Sequence, residues 1–334
     1  MRVLVTGGSG YIGTHTLVEL VAAGYSPIVL DNFSNSLRTA VHRVERITGV
    51  GIPVYEADIR DRESIRGVFL ANTDIDAVIH FAGLKAVGES VRRPLDYYTN
   101  NVAGSLNLFA TMEEFGCTRL IFSSSASVYG DSPSMPIRED SPVSPASPYA
   151  CSKLHVEEIL RDLYKANTQW QICLLRYFNP VGAHPSGMIG ESPAGIPNNL
   201  MPYIAQVAMG LREKLRVFGN DYPTMDGTGV RDYIHVVDLA QGHVQALQAL
   251  SQEQVLTLNL GTGVGYSVMQ VLRAFEQACG RSIPFEVAPR RSGDVAQCYA
   301  DPELAYRLLS WRASIGLEQM CRDAWNWQMH GSGD

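Results

Sequence analysis

The sequence predicts an α/β protein: a Rossmann-type, doubly wound parallel sheet carrying a smaller mixed α/β lobe. Three observations predict it. Short β-branched apolar runs alternate with helix-patterned segments through the first half. The first run ends on Gly7-Gly8-Ser9-Gly10-Tyr11-Ile12-Gly13, a Gly-x-x-Gly-x-x-Gly turn between a strand and a helix. From about Arg176 the alternation gives way to Pro- and Gly-rich stretches at 179–198 and 218–229, the kind of long irregular segment that serves as a binding loop in a compact domain. Strands interleaved with helices imply right-handed βαβ units and a parallel sheet. The expected division is a nucleotide-binding lobe over 1–175, to which later segments also contribute, and an interleaved substrate lobe over 176–334. The cleft between them is the default site.

Each element follows from local pattern. Residues 2–6 read as a strand, and 11–23 as a helix that Gly24 suits as a stop. A second strand, 27–30, ends at Asp31. A third spans 53–56, and 61–70 is helical with Asp61 suited to its N-cap. A fourth strand covers 76–80. Pro94 is placed to open a long helix to about Gly116. A fifth strand spans 119–123, a helix 149–166 and a sixth strand 171–175. Helical patterns return at 200–210, 237–250, 268–280 and 315–328, and the tail 331–334 reads as frayed.

Composition removes several function classes. With 334 residues, 46% hydrophobic and 18% charged, the chain has the balance of an ordinary globular protein with a large core. A net charge of −7 argues against nucleic-acid binding. No apolar run approaches ~18 residues, so no membrane span is expected, and the first residues enter a strand directly rather than a signal peptide. The six cysteines form no Cys-x-x-Cys pair and the eight histidines no His-x-x-x-His. Metal sites and disulfides are therefore not expected, and a reducing cytoplasm is the natural setting.

The chemistry-bearing residues fall into two groups. Gly7, Gly10 and Gly13 allow a tight turn and close backbone approach to a pyrophosphate, and the helix that follows offers free N–H groups to that anion. Asp31 can accept hydrogen bonds from an adenosine ribose and would repel a 2′-phosphate, which favours NAD over NADP even with Arg38 nearby. Asp58 can reach an adenine amino group, with Ile59 against the ring. The second group is Tyr149 and Lys153 in Ser147-Pro148-Tyr149-Ala150-Cys151-Ser152-Lys153, with Ser123-Ser124-Ser125 upstream. Positions i and i+4 share a helix face, so phenol and ammonium can face one cleft. A free tyrosine titrates near pH ~10, and a nearby ammonium favours the phenolate. A serine hydroxyl beside them completes a device for moving a proton on and off a hydroxyl.

With the glycine turn, Asp31, the serines and Tyr149/Lys153 in place, the chain resembles the extended short-chain dehydrogenase/reductases. Longer strings narrow the resemblance. They are His80-Phe81-Ala82-Gly83-Leu84-Lys85-Ala86-Val87-Gly88-Glu89-Ser90, Tyr97-Tyr98-Thr99-Asn100-Asn101, and Arg176-Tyr177-Phe178-Asn179-Pro180-Val181-Gly182-Ala183-His184-Pro185-Ser186-Gly187. Asn198-Asn199-Leu200-Met201-Pro202 and Asp226-Gly227-Thr228-Gly229-Val230-Arg231-Asp232-Tyr233-Ile234-His235 complete the set. They are similar to the UDP-glucose 4-epimerase family, an isomerase family, from Met1 to about Trp327.

That resemblance implies a UDP-sugar substrate and an NAD that stays bound. Tyr149, as phenolate, would take the proton of the sugar 4-hydroxyl while C4 gives hydride to the nicotinamide. The 4-keto sugar would turn its other face, and the hydride would return. Lys153 would hold the nicotinamide ribose and depress the Tyr149 pKa, and Ser125 would hydrogen-bond the sugar 4-oxygen. Tyr11, Ile12, Asn32, Asn35, Phe81, Ala82, Gly83, Lys85, Asn100, Ser123 and Tyr177 would line the cofactor. Lys85, Phe178, Asn179, Asn199, Leu200, Phe218, Arg231, Tyr233, Arg291 and Asp294 would hold the UDP-sugar, the arginines neutralising the diphosphate. A homodimer is also implied, with helices 94–116 and 149–166 pairing between subunits; the sequence equally allows their apolar faces to be covered within the chain.

One position departs from the pattern. In Arg290-Arg291-Ser292-Gly293-Asp294-Val295-Ala296-Gln297-Cys298-Tyr299-Ala300-Asp301, the residue bordering the sugar 2-position aligns to Cys298. A tyrosine there resembles the members restricted to glucose and galactose. The smaller thiol predicts room for an N-acetyl group and activity on UDP-GlcNAc/UDP-GalNAc, unless a neighbour such as Tyr299 fills the space. Two other readings share the fold. A 4,6-dehydratase needs a carboxylate pair right after the catalytic serine, where this chain has Ala126 and Ser127, and a sugar-acid decarboxylase fits the UDP strings less well. An NAD-binding regulator without catalysis would commonly lack the Tyr149/Lys153 pair.

Overall fold

Leu4 faces one side of the sheet it lies in, and Val3 and Val5 face the other, so the first strand is buried on both sides. That is the signature of a parallel sheet covered by helices on two faces. The computed structural model describes residues 1–132, 134–193, 195–250, 254–291 and 293–331. Ser292 and the tail 332–334 lie outside them. Seven strands form the main sheet in the order Gln254–Leu260, Gln171–Tyr177, Arg119–Ser125, Ile75–His80, Arg2–Thr6, Ser26–Asp31 and Val54–Glu56, every neighbouring pair parallel. Helices Tyr11–Ala22, Arg38–Thr48 and Val236–Ala249 bury Leu17, Val44 and Leu239 on one face. Helices Arg62–Ala71, Gly104–Glu114 and Pro148–Ala166 bury Phe69, Phe109 and Leu160 on the other. This is the doubly wound Rossmann-type architecture. Strand order reverses between Arg2–Thr6 and Ile75–His80, and ligands of such sheets bind beyond the strands' carboxyl ends at that point.

Helix ends follow the expected chemistry. The Asp61 side chain accepts from the Glu63 and Ser64 amides, and the Ser147 side chain accepts from Ala150 N. Of the elements that differ from the sequence reading, three bear on the first sheet. The helix opened by Pro94 is continuous to Glu114, but Tyr98–Ala103 is wound as a π-helix between Pro94–Tyr97 and Gly104–Glu114. Such insertions concentrate at functional sites, and this one carries Asn100 and Asn101. Helix Arg38–Thr48 was not anticipated: it buries only Val41 and Val44 and has no side-chain cap. Nor was the seventh strand, Gln254–Leu260, which returns from the second half of the chain to pair with Gln171–Tyr177.

The second lobe gathers strands Asn179–Val181, Val230–His235, Gly265–Ser267 and Gln297–Cys298 into a small sheet. Leu215–Phe218 and Phe285–Ala288 pair separately. Helices Leu200–Ala208, Val268–Cys279 and Leu317–His330 enclose a core of its own, including Ile204, Leu272, Phe275 and Met320. Among the described residues, no helix is long and apolar enough to cross a membrane.

Candidate active site

The glycine turn forms a cradle closed by backbone. Gly7 has φ 69°, and a Cβ there would stand 2.7 Å from Ala82 N. A Cβ on Gly13 would stand 2.6 Å from Gly7 O. Helix Tyr11–Ala22 starts behind it with no side chain capping its first amides, and Ser9 Oγ is buried without a partner. Asp31, 7% exposed, accepts from Ser9 N at 3.0 Å, Phe33 N at 2.9 Å and Ser36 Oγ at 3.0 Å, which fixes its carboxylate under the turn. Asn32 donates to Asp58 at 2.8 Å, and Arg60 grips Asp58 through two nitrogens at 2.9 and 2.7 Å. Those Arg60 bonds hold the Asp58 carboxyl well below the usual carboxylate range. Arg38 is turned to Glu56 at 2.6 Å and stacks on Phe33 at 4.7 Å. Asn35 is exposed, and Ile12 is half-buried against the core. A narrow backbone cradle, free helix amides and a fixed carboxylate are the groups a dinucleotide requires.

Gly7→Ala is expected to lower stability by about 1–3 kcal/mol, since it adds a clash at positive φ, and to empty the protein of bound dinucleotide. Nucleotide content after purification, with a denaturant titration, checks both.

Asn101 shapes the next wall. It accepts from Leu84 N at 2.8 Å and donates to Leu84 O and Ser152 Oγ, both at 3.0 Å, so the π-wound turn pins the loop of Phe81, Ala82, Gly83 and Lys85 to helix Pro148–Ala166. Asn100 donates to Asn101 Oδ1 at 3.0 Å. Ile59 fits against Gly104, where a Cβ would come within 2.8 Å. His80, bonded to Thr6 and Ser105, is kept neutral: burial, with the Lys153 charge, pulls it down to about 3.

Tyr149, Lys153 and Ser125 meet at the carboxyl end of the sheet. Lys153 is 6% exposed, and its Nζ donates to Ser123 O at 2.7 Å. Burial pulls the ammonium down to about 8. Gly83 lies close, since a Cβ on it would be 3.6 Å from that nitrogen. Ser125 Oγ accepts from Ser127 Oγ at 2.9 Å, and its hydroxyl is near enough to the Tyr149 phenol to lower that phenol's pKa. Desolvation pushes Tyr149 above the ordinary phenol value, while the Ser125 bond and the Lys85 charge pull it back. Lys153 keeps two further N–H donors beyond its bond to the Ser123 carbonyl, and the Lys85 charge also acts on the phenol.

The surroundings are rigid. Ser124 Oγ donates to Glu157 at 2.5 Å, and Arg176 holds Glu157 through contacts of 2.9 and 2.6 Å, all three residues buried. Removing one partner of such a pair costs about 3–5 kcal/mol. The Tyr177 hydroxyl donates to His243 Nε2, because His243 Nδ1 is committed to Leu239 O at 2.8 Å, and burial pulls His243 down to about 4. Phe81 packs on the same imidazole at 4.9 Å.

The second lobe supplies the opposite wall. Tyr11 donates to Gly182 O at 2.7 Å, joining the glycine helix to that lobe. Arg291 is held by Asp294 at 2.8 Å and lies 4.8 Å over the Phe218 ring. Burial pushes Tyr233 up to about 12, against the pull of Arg231 and Arg291. Asn179 is exposed and pairs in register with Tyr233. Leu200 begins the helix that Asn199 precedes. Lys85 and Asn199 both bond Glu191 Oε1 at 2.9 Å. Cys298 lies opposite Arg231 and packs against the cluster that includes Ala126 and Phe178. The Tyr299 ring lies beside Gly265, where a Cβ would stand 3.2 Å from its Cδ1.

Sequence reasoning missed Asn101, His243, Glu157 and Glu191. Asn101 stood one place from Asn100 in a string already singled out, and Glu191 lay within the 179–198 loop. A separate open hollow of about 590 Å³, between helices Val268–Cys279 and Leu317–His330, includes none of the residues described above.

Known proteins share this arrangement. A family model described as GDP-mannose 4,6 dehydratase matches residues 4–324. A UDP-glucose 4-epimerase from Bacillus subtilis (strain 168) is 58% identical, covering 98% of this chain and 97% of its own. The crystal structure of UDP-glucose 4-epimerase from Bifidobacterium longum in complex with NAD+ and UDP superposes with a TM-score of 0.96 at 52% identity, covering 98% of both chains. The UDP-Glc/GlcNAc 4-epimerase from Campylobacter jejuni superposes at 0.86 with 36% identity, covering 98% of this chain and 99% of that one. With identity this high over nearly the whole of both chains, the protein belongs to the UDP-glucose 4-epimerase family of extended short-chain dehydrogenase/reductases.

Proposed function

We propose that this chain interconverts UDP-glucose and UDP-galactose at C4 of the sugar, with NAD held throughout. The observation that carries the reading is the meeting of Tyr149, Ser125 and Lys153 at the strand ends beside the glycine cradle. Bound NAD supplies the hydride acceptor at C4 and gives the hydride back. Tyr149 takes the 4-hydroxyl proton in one half of the cycle and returns it in the other. Ser125 positions that oxygen and shares the proton's path. Lys153, anchored on Ser123 O, keeps an ammonium beside the cofactor ribose. Arg231 and Arg291 neutralise the diphosphate, with Phe178, Asn179, Asn199, Leu200, Phe218, Tyr233 and Asp294 shaping the UDP site. On this reading residues 1–175 and the later strand Gln254–Leu260 serve the cofactor, and 176–334 otherwise serve the substrate.

An enclosed cofactor suits a reaction with no net oxidation. The dehydratase reading suggested by the family model's description is disfavoured, because Ala126 and Ser127 offer no carboxylate for eliminating water. Turnover of all four UDP-sugars by purified protein with no added NAD tests the proposal. Conversion of UDP-galactose to UDP-glucose supports it, and a strict need for added NAD contradicts it.

Cys298, a smaller side chain than the tyrosine that resembles the glucose- and galactose-restricted members, extends the reading to UDP-GlcNAc/UDP-GalNAc. The six thiols are free in the structure, in keeping with a cytoplasmic setting. A homodimer is supported by apolar side chains left exposed around the Pro94 helix, with Val91 at 63%, Leu95 at 77% and Leu106 at 46%. Leu95→Glu with Leu106→Glu is expected to convert a dimer into a monomer in sedimentation analysis. A wild-type monomer would contradict the dimer.

A further inference from the structure

His243, on helix Val236–Ala249, stands behind two walls of the site and is 0% exposed. Both of its ring nitrogens are committed. Nδ1 lies 2.8 Å from the Leu239 carbonyl, which can only accept, so Nδ1 carries the proton and Nε2 is left as an acceptor. The Tyr177 hydroxyl donates to that nitrogen. The Tyr177 ring meets the imidazole at 5.2 Å between centroids, and the Phe81 ring meets it at 4.9 Å.

These two partners border different parts of the site. Tyr177 ends strand Gln171–Tyr177, in register with Ser125. Phe81 follows strand Ile75–His80, and its backbone helps to close the glycine cradle, since a Cβ on Gly7 would stand 3.0 Å from Phe81 C. Leu175, Leu239 and Leu260 are buried around them. Apolar side chains could fill the same volume. What the hydrogen-bonded pair adds is direction, because a fully satisfied buried polar pair fixes one arrangement of the groups that make it.

We propose that His243 is a positioning residue of the cofactor site, an inference that rests on the epimerase reading: it holds the Tyr177 and Phe81 rings from behind, and so fixes the wall that joins the glycine cradle to the Ser125 end. It acts through those two side chains. Losing it therefore loosens the hold on NAD, beyond any effect on the stability of the fold.

The test is the rate at which bound, radiolabelled NAD exchanges with excess unlabelled NAD, read together with the melting temperature of each protein. The proteins are wild type, His243→Gln, His243→Leu, Tyr177→Phe and the variant carrying both His243→Leu and Tyr177→Phe. Exchange is expected to be about tenfold faster in His243→Leu and in Tyr177→Phe, the scale of one lost hydrogen bond. A glutamine can donate to Leu239 O through its amide and accept from Tyr177 through its carbonyl, so His243→Gln should stay within about threefold of wild type. The double variant leaves no polar partner buried and unpaired, so its melting temperature should recover towards wild type, while exchange stays as fast as in His243→Leu. A purely structural His243 would instead restore slow exchange along with stability, and that result overturns the inference. So does exchange at the wild-type rate in Tyr177→Phe, a result available even if His243→Leu does not fold. The expected order of exchange rates, with no turnover of UDP-galactose by wild type, would overturn the epimerase reading instead.

Discussion

Tyr149→Phe is expected to lower kcat for UDP-galactose by about 10²–10⁴-fold, the range set by losing a positioned acid–base group. The substitution removes one oxygen and keeps the ring, so helix Pro148–Ala166 and its packing should survive. The oxygen matters because its surroundings are arranged around it. Desolvation raises the phenol, so the site must supply counter-forces, and it does so through the Ser125 hydroxyl and the Lys85 cation. Ser125 is itself fixed by Ser127 and by the end of strand Arg119–Ser125. Bound NAD should remain at the wild-type level, since the cradle and Lys153 are untouched. A loss smaller than tenfold, with cofactor retained, would remove Tyr149 from the proton-transfer role.

Cys298→Tyr should abolish turnover of the acetylated pair, by at least about 10²-fold, while UDP-galactose turnover stays within a few fold of wild type. The direction rests on placement. Cys298 sits opposite Arg231 in the small sheet and packs against the cluster that includes Ala126 and Phe178. Tyr299 follows that strand, and its ring lies beside Gly265. A phenol at 298 is larger than the thiol and would take up room that an N-acetyl group needs. If wild type fails to turn over UDP-GalNAc, or the variant loses both pairs equally, Cys298 does not set substrate size.

How much of this was legible in the sequence depended on whether a feature was local. The glycine turn, Asp31, the Asp61 cap and the Tyr149/Lys153 spacing are carried by a few adjacent residues, and the structure places them as their chemistry suggests. Strand Gln254–Leu260 belongs to the first sheet only through pairing with a segment far away in the chain, which no local pattern reports. The π-winding at Tyr98–Ala103 adds a residue to a turn without disturbing the helical periodicity on either side. The bond from Lys153 to the Ser123 carbonyl depends on where strand Arg119–Ser125 ends beside that helix, which the i, i+4 spacing does not report. Glu191 has no signature at all, since its meaning comes from Lys85 and Asn199 arriving from either side.

The central claim is that the hydrogen leaving C4 comes back to C4 within one closed site. UDP-galactose carrying deuterium at C4, incubated in ordinary water with the purified protein and no added cofactor, tests it directly. The account predicts UDP-glucose with the deuterium retained at C4. Product with solvent hydrogen at C4 would contradict it.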